Sequence, residues 1–157
     1  MPRAKRTRVI DADRSQVWDV VSDPYHLARW WPRVVRVEAV QERKRGAGTL
    51  WTKVLRTTAG RDVRADFRCL YSKQPTAYAW EQEVEDSPFA KVFRSSETRI
   101  ELSDADAGTR VSIEVAQRLR GMSRFGGFML RRATAKQIDG ALDALERLFA
   151  GAAEEPA

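Results

Sequence analysis

Histidine and cysteine, on which many metal sites and nucleophilic catalysts depend, each occur once in this chain of 157 residues, as His26 and Cys69. A disulfide within the chain is therefore impossible, and a zinc site would have to be built almost wholly from carboxylates. A triad that requires histidine has only His26 to draw on, and the sequence contains no G-x-S-x-G motif for a serine nucleophile. We therefore expect neither a metal nor a cofactor, and we expect Cys69 to fill core.

Aromatic side chains are the more prominent candidates, because the chain holds five tryptophans and six phenylalanines. Such side chains either fill a core or line a pocket for an apolar ligand. Trp18 lies at helical spacing in an apolar face and is expected in the core. Trp30 and Trp31 end a short helix before Pro32, so one of them is expected at a pocket rim. Period two gives Gln82 the same face as Trp80. The other aromatic candidates lie on strands, where a register slip of one residue reverses the face; with Trp80 they are Trp51, Phe67 and Tyr78.

Polar candidates come from the two longest predicted strands. If Ile100 and Leu102 face the core, period two also turns Ser96 and Arg94 inward. A buried arginine needs a partner, such as a ligand carboxylate or phenolate, an acidic side chain or a wet cavity. Alternatively, a bulge or twist sends Arg94 to solvent. Gln117 is a similar candidate, because it shares a face with the apolar residues of the last strand.

The passage from the last strand to the final helix combines glycines with aromatic residues. Three glycines lie between residues 121 and 127, next to Phe125, Phe128 and Met129. Flexible backbone beside aromatic side chains is typical of a gate for an apolar ligand. The alternative is a simple connection with an irregular helix start.

Charge and hydropathy limit the possible partners. The net charge is +6, the sequence pI is about 9.9, and arginine outnumbers lysine 22 to 6. The arginines are spread along the chain, which favours a solvated basic surface over a nucleic-acid site. Apolar runs are too short for a membrane span, and the basic N-terminus lacks the apolar stretch of a secretory signal. We therefore expect a cytoplasmic protein and do not favour nucleic acid as its partner. A monomer or a homodimer is expected.

Helix signals occur near both ends of the chain. Asp13 and Gln16 form a capping-box pattern before a first helix, and Asp23-Pro24 starts a second one that ends at Trp30. The last helix is expected from about Phe128 to Ala150, roughly 35 Å at 1.5 Å per residue. Gly151 is expected just beyond its end, followed by a frayed tail over 152–157.

Patterns typical of β-strands occupy most of the chain outside the predicted helices. A short first strand is expected over residues 7–11, and six more strands between Val34 and Leu119. In the first of these six, Val35, Val37 and Ala39 are expected to face inward. Short turns between successive strands indicate an antiparallel meander. A one-sided sheet must bury its apolar face, and the final helix is the only element long enough to cover it, so residues 1–151 are expected to form one α+β domain.

This element order, with the residues from Ile10 to Pro32 and the Gly108-Thr-Arg-Val111 segment, resembles the START/Bet v 1-like (SRPBCC) superfamily. The chain looks most like its polyketide cyclase/dehydrase and lipid-transport branch. The resemblance implies a helix-grip fold, in which a seven-stranded curved antiparallel sheet wraps around the C-terminal helix and encloses a cavity. The expected mouth lies near residues 25–31, 87–90 and 121–128.

Because proteins of this superfamily have diverse functions, the resemblance leaves three hypotheses open. The first is a protein that binds a hydrophobic or aromatic small molecule, such as a lipid, a quinone or a polyketide-like compound. The second is a polyketide aromatase/cyclase whose acid–base residues would be Arg94, Tyr78 and either Glu83 or Asp66. The third is a module that docks a protein or nucleic acid.

Overall fold

Seven strands form one antiparallel sheet in the order β1-β7-β6-β5-β4-β3-β2. The computed structural model describes residues 3–44, 46–121 and 124–154, excluding the side chains of 124, 125 and 152–154. The strands are β1 (Arg3–Ile10), β2 (Val34–Gln41), β3 (Leu50–Arg56), β4 (Asp62–Lys73), β5 (Ala77–Gln82), β6 (Phe93–Ala105) and β7 (Gly108–Leu119). The predicted fold class, a curved seven-stranded sheet with a long C-terminal helix, is confirmed.

Two short helices follow β1, as expected. Helix α1 (Arg14–Val21) begins after Asp13, whose backbone N–H donates to Gln16 Oε1 at 3.1 Å. The second segment begins as a 3₁₀ turn over Pro24–His26 and continues as α2 (Leu27–Trp30). The Asp23 carboxylate accepts a hydrogen bond from the Tyr25 N–H at 3.0 Å, which caps that turn.

Helix α3 (Arg124–Glu154) is longer than the sequence predicts at both ends. The expectation that Gly151 would end the helix is wrong. A side chain added at Gly151 would meet nothing within 4 Å, and the following residues, Ala-Ala-Glu, are good helix formers, so the helix continues. The described part of the expected tail is thus helical, and residues 155–157 lie outside the described ranges.

Strand β2 departs from simple alternation. Its pairing with β3 shifts between Val34 and Arg36 and again between Glu38 and Gln41. Val34 is therefore buried while Val35 is exposed, and Ala39 adopts a positive φ of 52°. The expectation that Val35 and Ala39 face inward is wrong, because each bulge inserts an extra residue and reverses the face of those that follow.

The core lies between the inner face of the sheet and α3. Helix α3 contributes a buried stripe of Ile138, Ala141, Leu142 and Leu145. Aromatic residues dominate the opposite wall, where Trp30, Trp51 and Trp80 are among the largest fully buried side chains. This aromatic wall surrounds the candidate site.

Candidate functional site

A lysine lies inside the core. Lys53 occupies the middle of β3, where it pairs with Val37 on β2 and Ala65 on β4, and its exposed fraction is 2%. Among the described residues, no carboxylate forms a salt bridge with it. A buried cation without an acidic partner is costly and is therefore a candidate for function.

Three aromatic rings surround the Lys53 amine. Its Nζ atom lies 4.1 Å from the ring centre of Phe67, 4.5 Å from that of Trp80 and 4.9 Å from that of Trp31. Ring faces attract a cation through their quadrupole, and the attraction grows when water is excluded. These three rings, hereafter the aromatic cage, hold the amine in place without a negative charge.

Burial sets the protonation of this amine. Loss of hydration lowers the pKa of Lys53 from 10.5 to about 7. The aromatic cage favours the charged form and opposes part of this effect. At neutral pH the site therefore holds both the ammonium, a hydrogen-bond donor, and the neutral amine, a nucleophile.

The amine faces a cavity of about 90 Å³, hereafter the inner chamber. The aromatic cage, Leu55 and Val115 form its apolar walls. Its polar lining consists of Lys53, Gln82, Ser96, Thr98, Gln117 and Gln137. At about 30 Å³ for each water molecule in the liquid, this volume corresponds to roughly three waters. The chamber can therefore take a small polar group and is too small for a whole lipid or polyketide.

A larger cavity of about 520 Å³, hereafter the outer groove, adjoins the inner chamber. Gln117 and Gln137 line both cavities, so they form the boundary between them. The rest of the groove is lined by residues 32–33, Phe93 and one side of α3 from Leu130 to Gly140. The groove thus lies beside the predicted mouth. Its volume falls within the range of small-molecule sites.

A glycine permits the close approach of α3 to the loop after α2. A Cβ atom at Gly140 would lie 3.3 Å from Pro32 Cγ. Glycine within a helix costs about 1 kcal/mol relative to alanine, but alanine at this position would force Pro32 to shift by a few tenths of an ångström. Both residues line the outer groove, and their packing fixes one of its walls.

Hydrogen bonds orient Gln117 at the boundary between the inner chamber and the outer groove. The Thr134 hydroxyl on α3 donates to Gln117 Oε1 at 3.2 Å, and Gln117 Nε2 donates to Ser96 Oγ at 3.4 Å. This chain of bonds ties α3 to β7 and β6. Gln82 differs, because its buried Nε2 has no hydrogen-bond partner among the described residues. Gln82 and Lys53 both line the inner chamber, and within the described part of the chain no acceptor binds the Gln82 Nε2 or the Lys53 amine.

Five of the predicted ligand-binding residues line the inner chamber: Trp31, Phe67, Trp80, Ser96 and Gln117. Three others are buried behind the aromatic cage. Trp51 stacks on Phe67 with ring centres 6.2 Å apart, Trp30 packs edge-on against Trp31 at 5.3 Å, and Tyr78 lies between Trp18 and Trp80. These three side chains support the cage and do not line the chamber.

The remaining four predicted residues lie elsewhere. Arg94 is exposed, because the β6–β7 register shifts between Phe93 and Ser95 and leaves Arg94 as the extra residue. Of the two predicted orientations, the one in which a bulge sends Arg94 to solvent is therefore observed, and the inward one is not. Phe128 and Met129 are 56% and 57% exposed. Phe128 lines a depression beside the start of β1, away from the outer groove. The side chain of Phe125 lies outside the described residues.

Sequence reasoning missed Lys53 as a functional residue. The usable signal was its position two residues after Trp51 and two before Leu55, which gives all three the same strand face. A lysine between two apolar neighbours of the same face indicates either a local irregularity or a buried amine. No bulge interrupts the pairing of β3 with β4, so the second alternative holds.

The four acid–base residues considered for a cyclase do not converge. The Asp66 carboxylate accepts a hydrogen bond from Thr52 at 2.6 Å, and Glu83 pairs with Arg68 at 3.4 Å. Tyr78 is enclosed by aromatic rings, and burial raises the pKa of its phenol. None of these three residues, nor Arg94, lines the inner chamber or the outer groove.

The described residues contain no cluster of three or more histidine, cysteine, aspartate or glutamate residues that could hold a metal ion. Among the helices described, none is both long and apolar enough to cross a membrane.

Solved structures of other proteins share this fold. The di-domain ARO/CYC protein BexL from the BE-7585A biosynthetic pathway matches with a TM-score of 0.76 and 17% identity over 92% of this chain and 48% of its own. A START superfamily protein from Mycobacterium smegmatis matches with a TM-score of 0.75 and 13% identity over 93% of this chain and 95% of its own. Ara h 8.0201 matches with a TM-score of 0.70 and 13% identity, again over 93% of this chain and 95% of its own. The chain thus spans about half the length of BexL. At these identities the likeness establishes the fold alone.

Sequence comparison assigns the family. No curated protein sequence matches the chain. A family model described as polyketide cyclase / dehydrase and lipid transport matches residues 1–150, nearly the whole length. The chain belongs to the polyketide cyclase/dehydrase and lipid transport family.

Proposed function

We propose that this protein binds an apolar or aromatic small molecule with a hydrogen-bond-accepting end. The apolar body lies in the outer groove and the polar end enters the inner chamber. A lipid, a quinone and a polyketide-like compound all meet this description. The observation that carries the proposal is the Lys53 amine, buried at the wall of a cavity with no acidic partner among the described residues.

The unpaired donors of the inner chamber favour a ligand with an acceptor. A buried donor without a partner costs about 1–3 kcal/mol, and more when it is charged. Lys53 and Gln82 both present donors there. Because a carbonyl, phenolate or carboxylate oxygen could accept from both, an acceptor-bearing ligand would bind more tightly than its purely apolar counterpart.

The outer face of the sheet gives little support to the third hypothesis, a nucleic-acid module. Several of its arginines pair with carboxylates. The Glu38 carboxylate contacts Arg36 at 2.6 Å and Arg64 at 3.2 Å, and Arg99 contacts Glu97 at 2.6 Å. Arg36 and Arg64 hold the pKa of Glu38 below its usual value. A cytoplasmic location and a monomeric or dimeric state remain predictions.

Two probes of equal shape test the proposal through quenching of tryptophan fluorescence. 2-Naphthylmethanol carries an acceptor, whereas 2-ethylnaphthalene, in which a methyl group replaces the hydroxyl, does not. A hydrogen bond from a charged donor contributes about 1.5–3 kcal/mol, so the alcohol should bind at least about tenfold more tightly. Lys53→Met should reduce this preference while retaining affinity for the hydrocarbon. Equal affinity of the two probes for the wild type, or no binding of either, would contradict the proposal.

A further inference from the structure

The surroundings of Lys53 differ from those of a lysine that serves as a permanent cation. No other residue that lines the inner chamber carries a titratable side chain. The walls come from α3, the end of α2 and strands β3 to β7, and they present aromatic, aliphatic, amide and hydroxyl groups to the amine. These walls carry no carboxylate that would hold the proton on the amine.

Lys53 also differs from the other lysines in its burial. The five at positions 5, 44, 73, 91 and 136 are all exposed. Lys73 makes a useful comparison, because its Nζ also lies 5.0 Å from an aromatic ring centre, that of Tyr71, but in contact with solvent. A desolvated lysine in an apolar pocket is the typical form of an activated amine nucleophile.

We propose that Lys53 forms a Schiff base with an aldehyde or ketone group of the apolar molecule bound in the outer groove. The proposal rests on the proposed function and narrows the ligand to carbonyl compounds. It assigns the amine a covalent role in addition to a hydrogen-bonding one.

The step balances without an oxidant, a reductant or a second substrate. The lone pair of neutral Nζ attacks the carbonyl carbon and forms a C–N bond, while the C=O π pair moves to oxygen. One N–H proton is transferred to that oxygen and gives a carbinolamine. The C–O bond then breaks and the oxygen leaves as water with the second N–H proton, so the product is the imine.

Side chains near the Lys53 amine can assist both its attack on the carbonyl carbon and the proton transfers that release water. The unpaired Gln82 Nε2 can donate to the carbonyl oxygen and polarise it. The hydroxyls of Ser96 and Thr98 line the same chamber and can pass the proton from nitrogen to oxygen. The volume of about 90 Å³ accommodates the carbonyl group and the released water.

Reductive trapping tests the proposal. The full-length protein is incubated at pH 7 with 2-naphthaldehyde and cyanoborohydride, then analysed by intact mass and peptide mapping. An imine would be reduced to a secondary amine, which adds one naphthylmethyl group at Lys53. A pKa of about 7 leaves on the order of a thousand times more neutral amine than one of 10.5. Because access and nucleophilicity offset part of this gain, we expect Lys53 to be labelled about tenfold faster than Lys73 or more.

Two controls separate the possible outcomes. Lys53→Met should abolish the fast labelling and Lys73→Met should retain it. In the wild type, labelling of Lys53 should reach half its maximum near pH 7. If 2-naphthylmethanol binds but Lys53 is labelled no faster than Lys73, the Schiff-base proposal is overturned and the binding function stands. If neither 2-naphthylmethanol nor 2-naphthaldehyde binds, the binding function itself fails.

Discussion

The Lys53 amine lies 4.1 Å from the ring centre of Phe67, on the inner face of a sheet whose neighbouring side chains are largely apolar. An isolated ammonium is poorly tolerated there, and an amine that can lose its proton is tolerated better. The contact therefore relates the stability of the fold to the chemistry of the site. The same amine should affect both the pH dependence of unfolding and ligand binding.

Replacing Lys53 should stabilise the fold in a pH-dependent way. The pKa of Lys53 falls from 10.5 to about 7 on folding, so the unfolded chain binds more protons between these values. The free energy of unfolding of the wild type should therefore rise with pH in this window, by up to about 1.4 kcal/mol per pH unit. Below pH 7 the amine is protonated in both the folded and the unfolded state. The folded protein then bears the whole free-energy cost of burying the charged amine, about 5 kcal/mol. Lys53→Met should thus be much more stable than the wild type at pH 6, with a difference that shrinks towards pH 10.

Urea unfolding at several pH values measures this difference. Lys73→Met is the matched control, because Lys73 is exposed and its removal should leave the pH dependence unchanged. Parallel pH profiles for the wild type and Lys53→Met would show that the amine is not desolvated in the folded protein.

The aromatic cage should tune the pKa of Lys53. Phe67→Leu removes the nearest ring face and leaves an apolar side chain of similar reach. A buried cation–π contact contributes about 1–2 kcal/mol, so the pKa of Lys53 should fall by roughly one pH unit. NMR titration of the lysine Cε and Nζ signals measures the pKa directly. Phe149→Leu, at a partly buried site on α3 outside the cage, should leave it unchanged; an equal shift in both variants would argue against the cage.

Much of the fold could be predicted from the sequence, because the local sequence patterns favour the same structure as the tertiary contacts. The Gly108-Thr109 pair illustrates this point. Gly108 has a φ of 136°, and a Cβ atom on it would lie 2.1 Å from the carbonyl oxygen of Ile10. The Thr109 hydroxyl donates to the Ala12 carbonyl at 2.7 Å. The two segments that carried the family resemblance are therefore in direct contact, which explains why these residue types occur together.

Gly108→Ala should consequently be severely destabilising. The added methyl group would overlap a backbone oxygen that cannot move without displacing β1, and we expect a loss of more than about 3 kcal/mol. Gly60→Ala is the control, since Gly60 also has a positive φ but a Cβ there would meet nothing within 4 Å. It should cost only about 1–2 kcal/mol of backbone strain. Similar losses in thermal unfolding of the two variants would contradict the role of the Ile10 contact.

The site was less predictable, because its position depends on irregularities that sequence patterns do not reveal. Period two placed Ser96 correctly on the inner face, but the bulge at Arg94 removed the one arginine expected there. Residue type alone does not distinguish Trp80, at the chamber wall, from Trp51 behind it. Residue type does not predict the burial of Lys53 either, because lysine is rarely buried.

A bulky side chain introduced on α3 should obstruct the outer groove. Ala133 is exposed and lines the groove, so Ala133→Phe would fill part of it without disturbing the core. Affinity for 2-naphthylmethanol should fall about tenfold or more, with little change in stability. Ala150→Phe places the same side chain at an exposed position of α3 outside the groove and should bind normally. Unchanged affinity in Ala133→Phe would show that the ligand body lies elsewhere.

The most direct test of ligand binding at the buried amine is an NMR titration of protein labelled at lysine Nζ and Cε with 2-naphthylmethanol. The six lysines provide one buried signal and five exposed ones. We predict that the Lys53 signal shifts in a saturable manner and that its pKa changes, while the signals of the four lysines outside the outer groove, at positions 5, 44, 73 and 91, stay constant. A saturable binding event that leaves the Lys53 signal unmoved, or the absence of any binding, would contradict the assignment of the inner chamber as the ligand site.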